Sequence, residues 1–179
     1  IMKDINELVG LSDIKNQIND LVALLIFNQK TNIDVANFNM HMVFSGNPGT
    51  GKTTVARLIK DIFYNLGYIA QNKLTEVTAK DLVGEYLGQT SGKTYNVVKS
   101  AVGGVLFIDE AYAITDGEDA GNKYGNECVA TLLKLMEDYK NKLIIIFAGY
   151  DNKMENFLKS NPGLISRIGY KIKFPDYTL

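Results

Sequence analysis

The sequence predicts an α/β fold of three layers, in which a five-stranded parallel sheet lies between helices on both faces. Segments with strand-like and helix-like patterns alternate along the chain, and this alternation is typical of parallel sheets. The most apolar segment, residues 143–148, has the length and composition of a strand that is buried on both faces. A chain of 179 residues has the length of one domain, and we detect no internal repeat in it.

Composition narrows the classes of partner. The chain has 179 residues, of which 46% are hydrophobic, and this is enough to bury a sizeable core. Its 19 basic and 20 acidic side chains leave a net charge of −1, which gives no bulk attraction to nucleic acid or to a membrane surface. No apolar stretch is as long as a membrane span, and the chain does not begin with a signal-peptide pattern. We therefore expect a cytoplasmic domain with no nucleic-acid and no membrane partner.

The first half of the chain contains two predicted helices and two predicted strands. Ser12 is a suitable cap for a helix that extends to about Gln29. Strands are predicted at residues 41–45 and near residues 73–77, and a second helix begins near Thr54. The residues expected on the inner face of the first helix are Ile14, Ile18, Leu21, Val22, Leu25 and Ile26.

Further helices and a strand follow. Thr78 is predicted to cap a short helix that reaches residue 83, and a longer helix spans residues 91–101 before a strand that ends at Asp109. The polar segment at residues 115–121 is interpreted as a solvated, flexible loop, because its acidic residues lack the spacing of a calcium loop.

The last part of the chain contains a helix at residues 126–139, the apolar strand at 143–148 and a strand near 170–174. Cys128 and His41 are interpreted as packing residues, because neither has the neighbours needed for a disulfide or a metal site. The helix residues expected to face inward are Val129, Leu132, Leu133 and Met136.

The segment between the first strand and the Thr54 helix matches the phosphate-binding pattern G-x-x-x-x-G-K-[ST]. Its glycines let backbone N–H groups turn toward phosphates, and Lys52 is expected to reach the β/γ-phosphates of a nucleotide. Thr53 would offer a hydroxyl to Mg²⁺. The N-terminus of the following helix would direct its dipole at the phosphates. The matching residues are Gly46, Asn47, Pro48, Gly49, Thr50, Gly51, Lys52 and Thr53.

Two carboxylates end a second strand. Residues 105–108 are apolar and are followed by Asp109 and Glu110. Open α/β sheets bind their ligands at the carboxyl ends of the strands, so both side chains are expected near the phosphate loop. Asp109 would hold the metal ion, and Glu110 would polarise the attacking water. The two motifs together predict a P-loop NTPase that uses ATP and Mg²⁺.

Several motifs together resemble one family. They are Gly46-Asn47-Pro48-Gly49-Thr50-Gly51-Lys52-Thr53-Thr54, Asp81-Leu82-Val83-Gly84-Glu85-Tyr86-Leu87-Gly88-Gln89-Thr90, Phe107-Ile108-Asp109-Glu110-Ala111-Tyr112 and Phe174-Pro175-Asp176-Tyr177. With these motifs the chain resembles the AAA+ ATPases, and more narrowly the branch that contains stage V sporulation protein K and the red-type Rubisco activase. The resemblance extends from residue 7 to residue 176.

The resemblance implies roles for further residues. Backbone groups of Val9 and Gly10 would border adenine, although a hydrophobic staple before the first helix explains these residues equally well. Tyr86, Leu87 and Gly88 match a pore loop that grips an extended polypeptide in the centre of a ring. An aromatic residue on a polar segment is also hard to explain as core. The residues expected to wrap the nucleotide are Gly49, Thr50, Gly51, Lys52, Thr53 and Thr54.

Arg167 resembles the arginine finger that enters the nucleotide site of a neighbouring subunit. A guanidinium supplied in this way stabilises the charge on the transferring phosphoryl group and is worth roughly 10³ to 10⁵ in rate. The alternative is a surface ion pair with a carboxylate. If Arg167 is such a finger, the full-length protein associates into a ring, which the resemblance implies to be a hexamer. The expected catalytic residues are Lys52, Glu110 and Arg167.

The chain departs from the broader family in two ways. Many members have an Asn after the strand that ends here at Ala148, whereas this chain has Tyr150, Asp151 and Asn152, each a candidate for orienting the water. Members also continue into a small helical lid. We therefore interpret residues 1–179 as the large, nucleotide-binding subdomain, with the C-terminal lid absent from this chain.

The predicted function is that of an ATP-binding and ATP-hydrolysing unit in a motor that remodels a protein of unknown identity. Two alternatives stay open. One is a nucleotide-gated interaction module that threads no polypeptide, and the other is a DNA-directed motor, against which the balanced charge argues. A small-molecule kinase is less compatible with Glu110 directly after Asp109, a pair that suits water activation.

Overall fold

The computed structural model describes residues 11–32, 39–116 and 120–176 of the chain. Its strands are β1 (His41–Ser45), β2 (Leu74–Thr78), β3 (Val105–Asp109), β4 (Ile144–Gly149) and β5 (Ile168–Lys173). They form one parallel sheet in the order β2-β3-β4-β1-β5, so that β4 and β1 lie in its interior. The predicted α/β fold with a five-stranded parallel sheet is confirmed.

Helices cover both faces of this sheet. They are α1 (Ser12–Thr31), α2 (Lys52–Asn65), α3 (Ala79–Leu82), α4 (Thr90–Ala101), α5 (Ala120–Asp138), α6 (Asp151–Lys159) and α7 (Pro162–Arg167). A short 3-10 turn, Ala111–Ile114, follows β3. Within the described ranges, no helix combines the length and the apolar character that a membrane crossing requires.

The side chains of the interior strands alternate between two hydrophobic cores, one on each face of the sheet. Met42 and Phe44 of β1 belong to the core beneath α1 and α2, whereas Val43 belongs to the opposite core. The same alternation separates Ile146 from Phe147 on β4. Successive side chains of a strand point to opposite faces, so a strand that is apolar at every position needs cover on both sides. The sheet and the helices packed over the core on each of its faces form three layers.

The start and the buried face of α1 differ in part from the prediction. Ser12 is the first helical residue, and the buried Leu11 occupies the cap position, so the prediction of Ser12 as the cap is wrong. Ile26 is 37% exposed, whereas Asn28 is buried at 7%. Asn28 follows Leu25 by three residues and therefore lies on the inner stripe of a helix with 3.6 residues per turn. Helical position outweighs hydrophobicity here.

The start of α5 also differs from the prediction. The helix begins at Ala120, before the predicted residue 126, so the predicted loop at residues 115–121 is wrong at its last two positions. A Cβ atom on Gly125 would lie 2.0 Å from the carbonyl oxygen of Ile114. Gly125 therefore allows the helix to approach the 3-10 turn closely, and it does not end the helix.

Helices α6 and α7 were not predicted from the sequence. Met154, Phe157 and Leu158 of α6 are buried in the core. Asn161 caps α7, because its side-chain oxygen accepts a hydrogen bond from the Gly163 amide at 2.9 Å, and Pro162 is the first helical residue. An Asn followed by a Pro is a recognisable signal for a helix start, and it could have located α7.

Gly125→Ala is expected to lower the free energy of unfolding by about 1 to 3 kcal/mol, because the added methyl group overlaps the Ile114 carbonyl. Gly92→Ala is the matched control, since Gly92 also lies in a helix and an added Cβ would meet no atom within 4 Å. The control should raise the free energy of unfolding by up to about 1 kcal/mol. Urea denaturation measures both, and equal stabilities would contradict the close approach.

Candidate functional site

The phosphate-binding loop joins β1 to α2, and glycines determine its shape. Gly51, at the entrance to α2, has a φ of 94°, a conformation that favours glycine. A Cβ atom on Gly46 would lie 2.6 Å from the carbonyl oxygen of Phe174, so glycine allows the loop to pass close to the segment after β5. The Gly46 amide donates a hydrogen bond to the Gly149 carbonyl at 3.0 Å. The loop is therefore fixed to the ends of two neighbouring strands.

The N-terminus of α2 opens into this loop. The Val55 amide donates to the Gly51 carbonyl at 3.0 Å, which is a first-turn hydrogen bond of the helix. Lys52, Thr53 and Thr54 come before Val55 in the first turn. The first amides of a helix have no acceptor within the helix, so the amides of these three residues are free to bind a ligand. The cap position offers no side-chain acceptor either. These donors, together with the helix dipole, suit a phosphate group.

The Lys52 ammonium lies against the inside of the loop. Its Nζ donates to the carbonyl oxygens of Gly46 at 2.8 Å and Asn47 at 2.7 Å. Burial lowers the pKa of Lys52, and the Asp109 carboxylate opposes this shift. Thr50 is buried, and its hydroxyl donates to the Asn47 carbonyl at 2.7 Å, so its side chain stabilises the loop from within.

Asp109 and Glu110 lie where β3 ends. Glu110 has a φ of 49°, a left-handed conformation that is uncommon for residues other than glycine. Its amide donates to the Asp109 carboxylate at 3.0 Å. Non-glycine residues in such conformations cost of order 1 kcal/mol or more and concentrate at functional sites. The chain therefore turns at Glu110, directly after the last residue of the strand.

These elements enclose a cavity of about 460 Å³ at the carboxyl edge of the sheet. Seven of the predicted site residues line it, whereas Thr50 supports the loop behind it. The lining residues are Gly46, Pro48, Gly49, Gly51, Lys52, Thr53, Thr54, Asp109, Glu110, Gly149 and Tyr150.

The oxygen atoms at this cavity fit a magnesium ion. Thr53 supplies a hydroxyl and Asp109 a carboxylate, and Mg²⁺ prefers one or two such oxygen ligands together with substrate phosphates and water. In the described part of the chain, no group of three His, Cys, Asp or Glu side chains forms an all-protein metal site. The donor set is therefore compatible with Mg²⁺ that arrives with a nucleotide.

The three candidates after β4 occupy different environments. Tyr150 lines the cavity, and its ring centroid lies 5.7 Å from that of Tyr112, a residue that was not predicted to lie near the site. Asp151 forms an ion pair with Lys173 at 2.7 Å. Asn152 is exposed, and its side-chain oxygen accepts from the Lys153 amide at 2.9 Å. Tyr150 is thus the one of the three that borders the cavity.

The predicted pore-loop residues lie on an exposed turn. Tyr86 is 67% exposed and Leu87 is 76% exposed. The Gln89 amide donates to the Tyr86 carbonyl at 3.3 Å, and Gly88 has a φ of 81°, as the third residue of a type II turn requires. This turn therefore presents two large apolar side chains to the surroundings of the molecule.

Arg167 lies at the opposite edge of the sheet from the phosphate loop. It ends α7 immediately before β5, where Ile168 pairs with His41 at the start of β1. The phosphate loop begins after Ser45, at the other end of β1. A five-residue strand spans roughly 15 Å, so Arg167 does not reach the cavity of its own chain. Its guanidinium pairs instead with Glu137, with Nε 3.1 Å from Oε1.

Val9 and Gly10, predicted to border adenine, lie outside the described residues, and so does Tyr177. The adenine contact and the hydrophobic staple therefore both remain predictions.

Comparisons with known proteins agree with this architecture. The model of the AAA family, described as "ATPase family associated with various cellular activities (AAA)", matches residues 42–176. The FIGL-1 AAA domain in complex with ADP superposes with a TM-score of 0.62 at 15% identity, covering 94% of this chain and 54% of that one. At this identity the likeness concerns the fold alone.

Curated relatives are more similar in sequence. Chloroplastic ribulose bisphosphate carboxylase/oxygenase activase of Cyanidioschyzon merolae is 50% identical over 175 residues, which cover 96% of this chain and 59% of that protein. Stage V sporulation protein K of Bacillus subtilis is 44% identical over 182 residues, which cover 100% of this chain and 56% of that protein. The chain thus spans under two thirds of each relative. These matches confirm the predicted branch, and the chain belongs to the AAA family of ATPases.

Proposed function

We propose that this chain binds ATP with Mg²⁺ and hydrolyses it, and that a ring of subunits uses the hydrolysis to remodel a protein substrate. The observation that carries this proposal is the convergence of Lys52, Thr53, Asp109 and Glu110 on one cavity. A cation, a hydroxyl and two carboxylates around a glycine-rich loop are the groups that phosphoryl transfer to water requires.

Each group has a distinct task in the proposed reaction. The free amides at the start of α2 bind phosphate oxygens, and Lys52 moves from the loop carbonyls to the β/γ-phosphates. Thr53 and Asp109 hold Mg²⁺, which when bound would neutralise charge on the phosphate oxygens. Glu110 accepts a proton from the water that attacks the γ-phosphorus.

Tyr150 is proposed to orient that water or the γ-phosphate through its hydroxyl. It follows β4, which lies between the strand of the phosphate loop and the strand of Glu110. The packing of its ring against Tyr112 limits its rotation, and Asp151 is already engaged by Lys173. A positioned hydrogen-bond donor at the reacting phosphate lowers the barrier without tightening nucleotide binding.

A neighbouring subunit is proposed to complete the site. Arg167 lies at the edge of the sheet opposite its own cavity, and this position supports action on the nucleotide of a second subunit. Stabilisation of the transferring phosphoryl group by a guanidinium in trans would make hydrolysis depend on assembly.

The substrate is proposed to be a polypeptide that contacts Tyr86 and Leu87. Exposed aromatic side chains are enriched among residues that dominate binding energy, and both residues lie on a glycine-supported turn. One relative is named an activase of ribulose bisphosphate carboxylase/oxygenase, and this name supports a protein as substrate.

Glu110→Gln is expected to retain ATP binding and to lower the rate of phosphate release by at least about 10²-fold, because the amide cannot accept the proton from water. Fluorescent-nucleotide binding and steady-state phosphate release measure the two effects. Glu155→Gln, an exposed substitution on α6, is the matched control. Undiminished phosphate release by Glu110→Gln would remove Glu110 from the role of base.

Tyr150→Phe is expected to lower kcat by at least about 10-fold while the KM for ATP stays within about twofold, because one donor to the transition state is lost. Tyr64→Phe, on the exposed side of α2, should leave both values unchanged. A normal kcat for Tyr150→Phe would show that its hydroxyl has no part in the reaction.

Tyr86→Ala is expected to weaken the binding of an unfolded polypeptide by about 10-fold or more, because an exposed aromatic anchor is removed. Fluorescence anisotropy of labelled, carboxymethylated α-lactalbumin measures this in the full-length Glu110→Gln protein with ATP. Tyr64→Ala removes another exposed tyrosine, from α2, and is the control. Equal affinities in the two variants would favour the nucleotide-gated module that threads no polypeptide.

A further inference from the structure

Contacts within its own chain hold Arg167 in place. Its Nη1 donates to the Gly163 carbonyl at 3.1 Å, and its Nε lies 3.1 Å from Oε1 of Glu137 near the end of α5. The guanidinium is thereby fixed between two helices, while Nη2 makes no hydrogen bond to any residue within the described ranges. One nitrogen of the fork is left available to an external group.

Arg167 also lies near His41, on the side that faces the sheet. His41 is buried there, and its Nδ1 accepts a hydrogen bond from the Ile145 amide at 3.0 Å. Burial and the positive charge of Arg167 lower the pKa of His41 to about 4, so the imidazole is neutral at physiological pH. Among the described residues, Glu137 is the carboxylate that pairs with Arg167.

Stabilisation of the fold is a poor explanation for this ion pair. The Glu137 side chain is 54% exposed, and exposed ion pairs contribute little to stability. The Nε atom is buried and makes no hydrogen bond, so its contact with the Glu137 carboxylate is an ion pair alone. The contact therefore restricts the position of the guanidinium more than it stabilises α5 or α7.

We propose that Glu137 is a positioning residue for the reaction at the neighbouring subunit, where it holds Arg167 in the orientation that reaches the nucleotide. This inference rests on the proposed function. A free arginine side chain populates many rotamers, and a side chain that is already ordered loses less entropy when it engages the transition state. Loss of Glu137 should therefore lower kcat and leave ATP binding in the same subunit unchanged.

In the full-length protein, Glu137→Gln is expected to lower kcat by about 10- to 100-fold, the range expected when a catalytic group is misplaced by a small distance. The KM for ATP should stay within twofold. Asp138→Asn is the matched control, because it removes a charge from the next residue, which is exposed and has no ion pair among the described residues. An unchanged or increased kcat in Glu137→Gln would overturn the proposal, and an increase would indicate that Glu137 withholds Arg167.

Rings assembled from two different variants test whether Glu137 acts in the subunit that donates the arginine. Glu110→Gln subunits have an intact Arg167 and an inactive site, whereas Arg167→Ala subunits have the reverse, so a mixture of the two should regain ATPase activity. Adding Glu137→Gln to the Glu110→Gln subunits should remove most of the regained activity. The same change in the Arg167→Ala subunits should leave the regained activity in place.

The outcomes separate the inference from the function on which it rests. If the parent mixture regains no activity, Arg167 does not act in trans, and both proposals fail. If the parent mixture is active and Glu137→Gln has the same effect on either subunit, Glu137 has a general structural role, and the positioning role alone is wrong.

Discussion

The parallel pairing of β1 with β4 and β5 is the constraint on which the placement of the candidate functional groups depends. One end of β1 leads into the phosphate loop, and its other end pairs with Ile168, directly after Arg167. β4 ends beside the loop, where the Gly46 amide is bonded to Gly149. Because the carboxyl ends of parallel strands lie at one edge of a sheet, the segments that follow β1, β3 and β4 meet there, although they are far apart in the sequence.

The site departs from relaxed backbone geometry where ligand groups are needed. Glu110 occupies a left-handed conformation, and Gly46 and Gly51 have positive φ values. Glycine adopts positive φ values readily, whereas a residue such as Glu110 keeps this conformation only when the surrounding structure enforces it. The two cores that cover β1 and β4 are close-packed and supply this enforcement, since every residue of both strands is buried.

The sequence predicted the parts of the molecule that depend on local pattern. The fold class follows from alternating periodicity, and the motifs at Gly46 and Asp109 specify chemistry by spacing alone. The start of α5 was not predicted correctly. The sequence does not show that Gly125 lies against Ile114, and this contact explains a glycine inside the helix. Asn28 is likewise buried through helical position, although it is polar.

The same limit applies to the candidate site. The sequence could not show which of Tyr150, Asp151 and Asn152 orients the water, because it does not reveal what each side chain contacts. The ion pair of Asp151 with Lys173 and the ring contact of Tyr150 with Tyr112 distinguish them, and both partners come from other elements. Glu137 could not have been found from sequence either, since it lies 30 positions before Arg167 and meets it through the packing of α5 against α7.

Strand β5 joins the two proposed half-sites of one subunit. β5 begins next to Arg167 and ends at Lys173, whose ammonium pairs with Asp151, the residue after Tyr150. The strand pairs with β1 on both sides of a register irregularity at Gly169, so a shift of α7 that separated the proposed half-sites would break backbone hydrogen bonds of the sheet. A displacement at Arg167 that leaves the sheet intact would be taken up at this irregularity, by rotation of the subunit or by side chains such as Glu137. In a ring, rigid subunits of this kind would transmit the nucleotide state of one site to the next by changing their relative orientation.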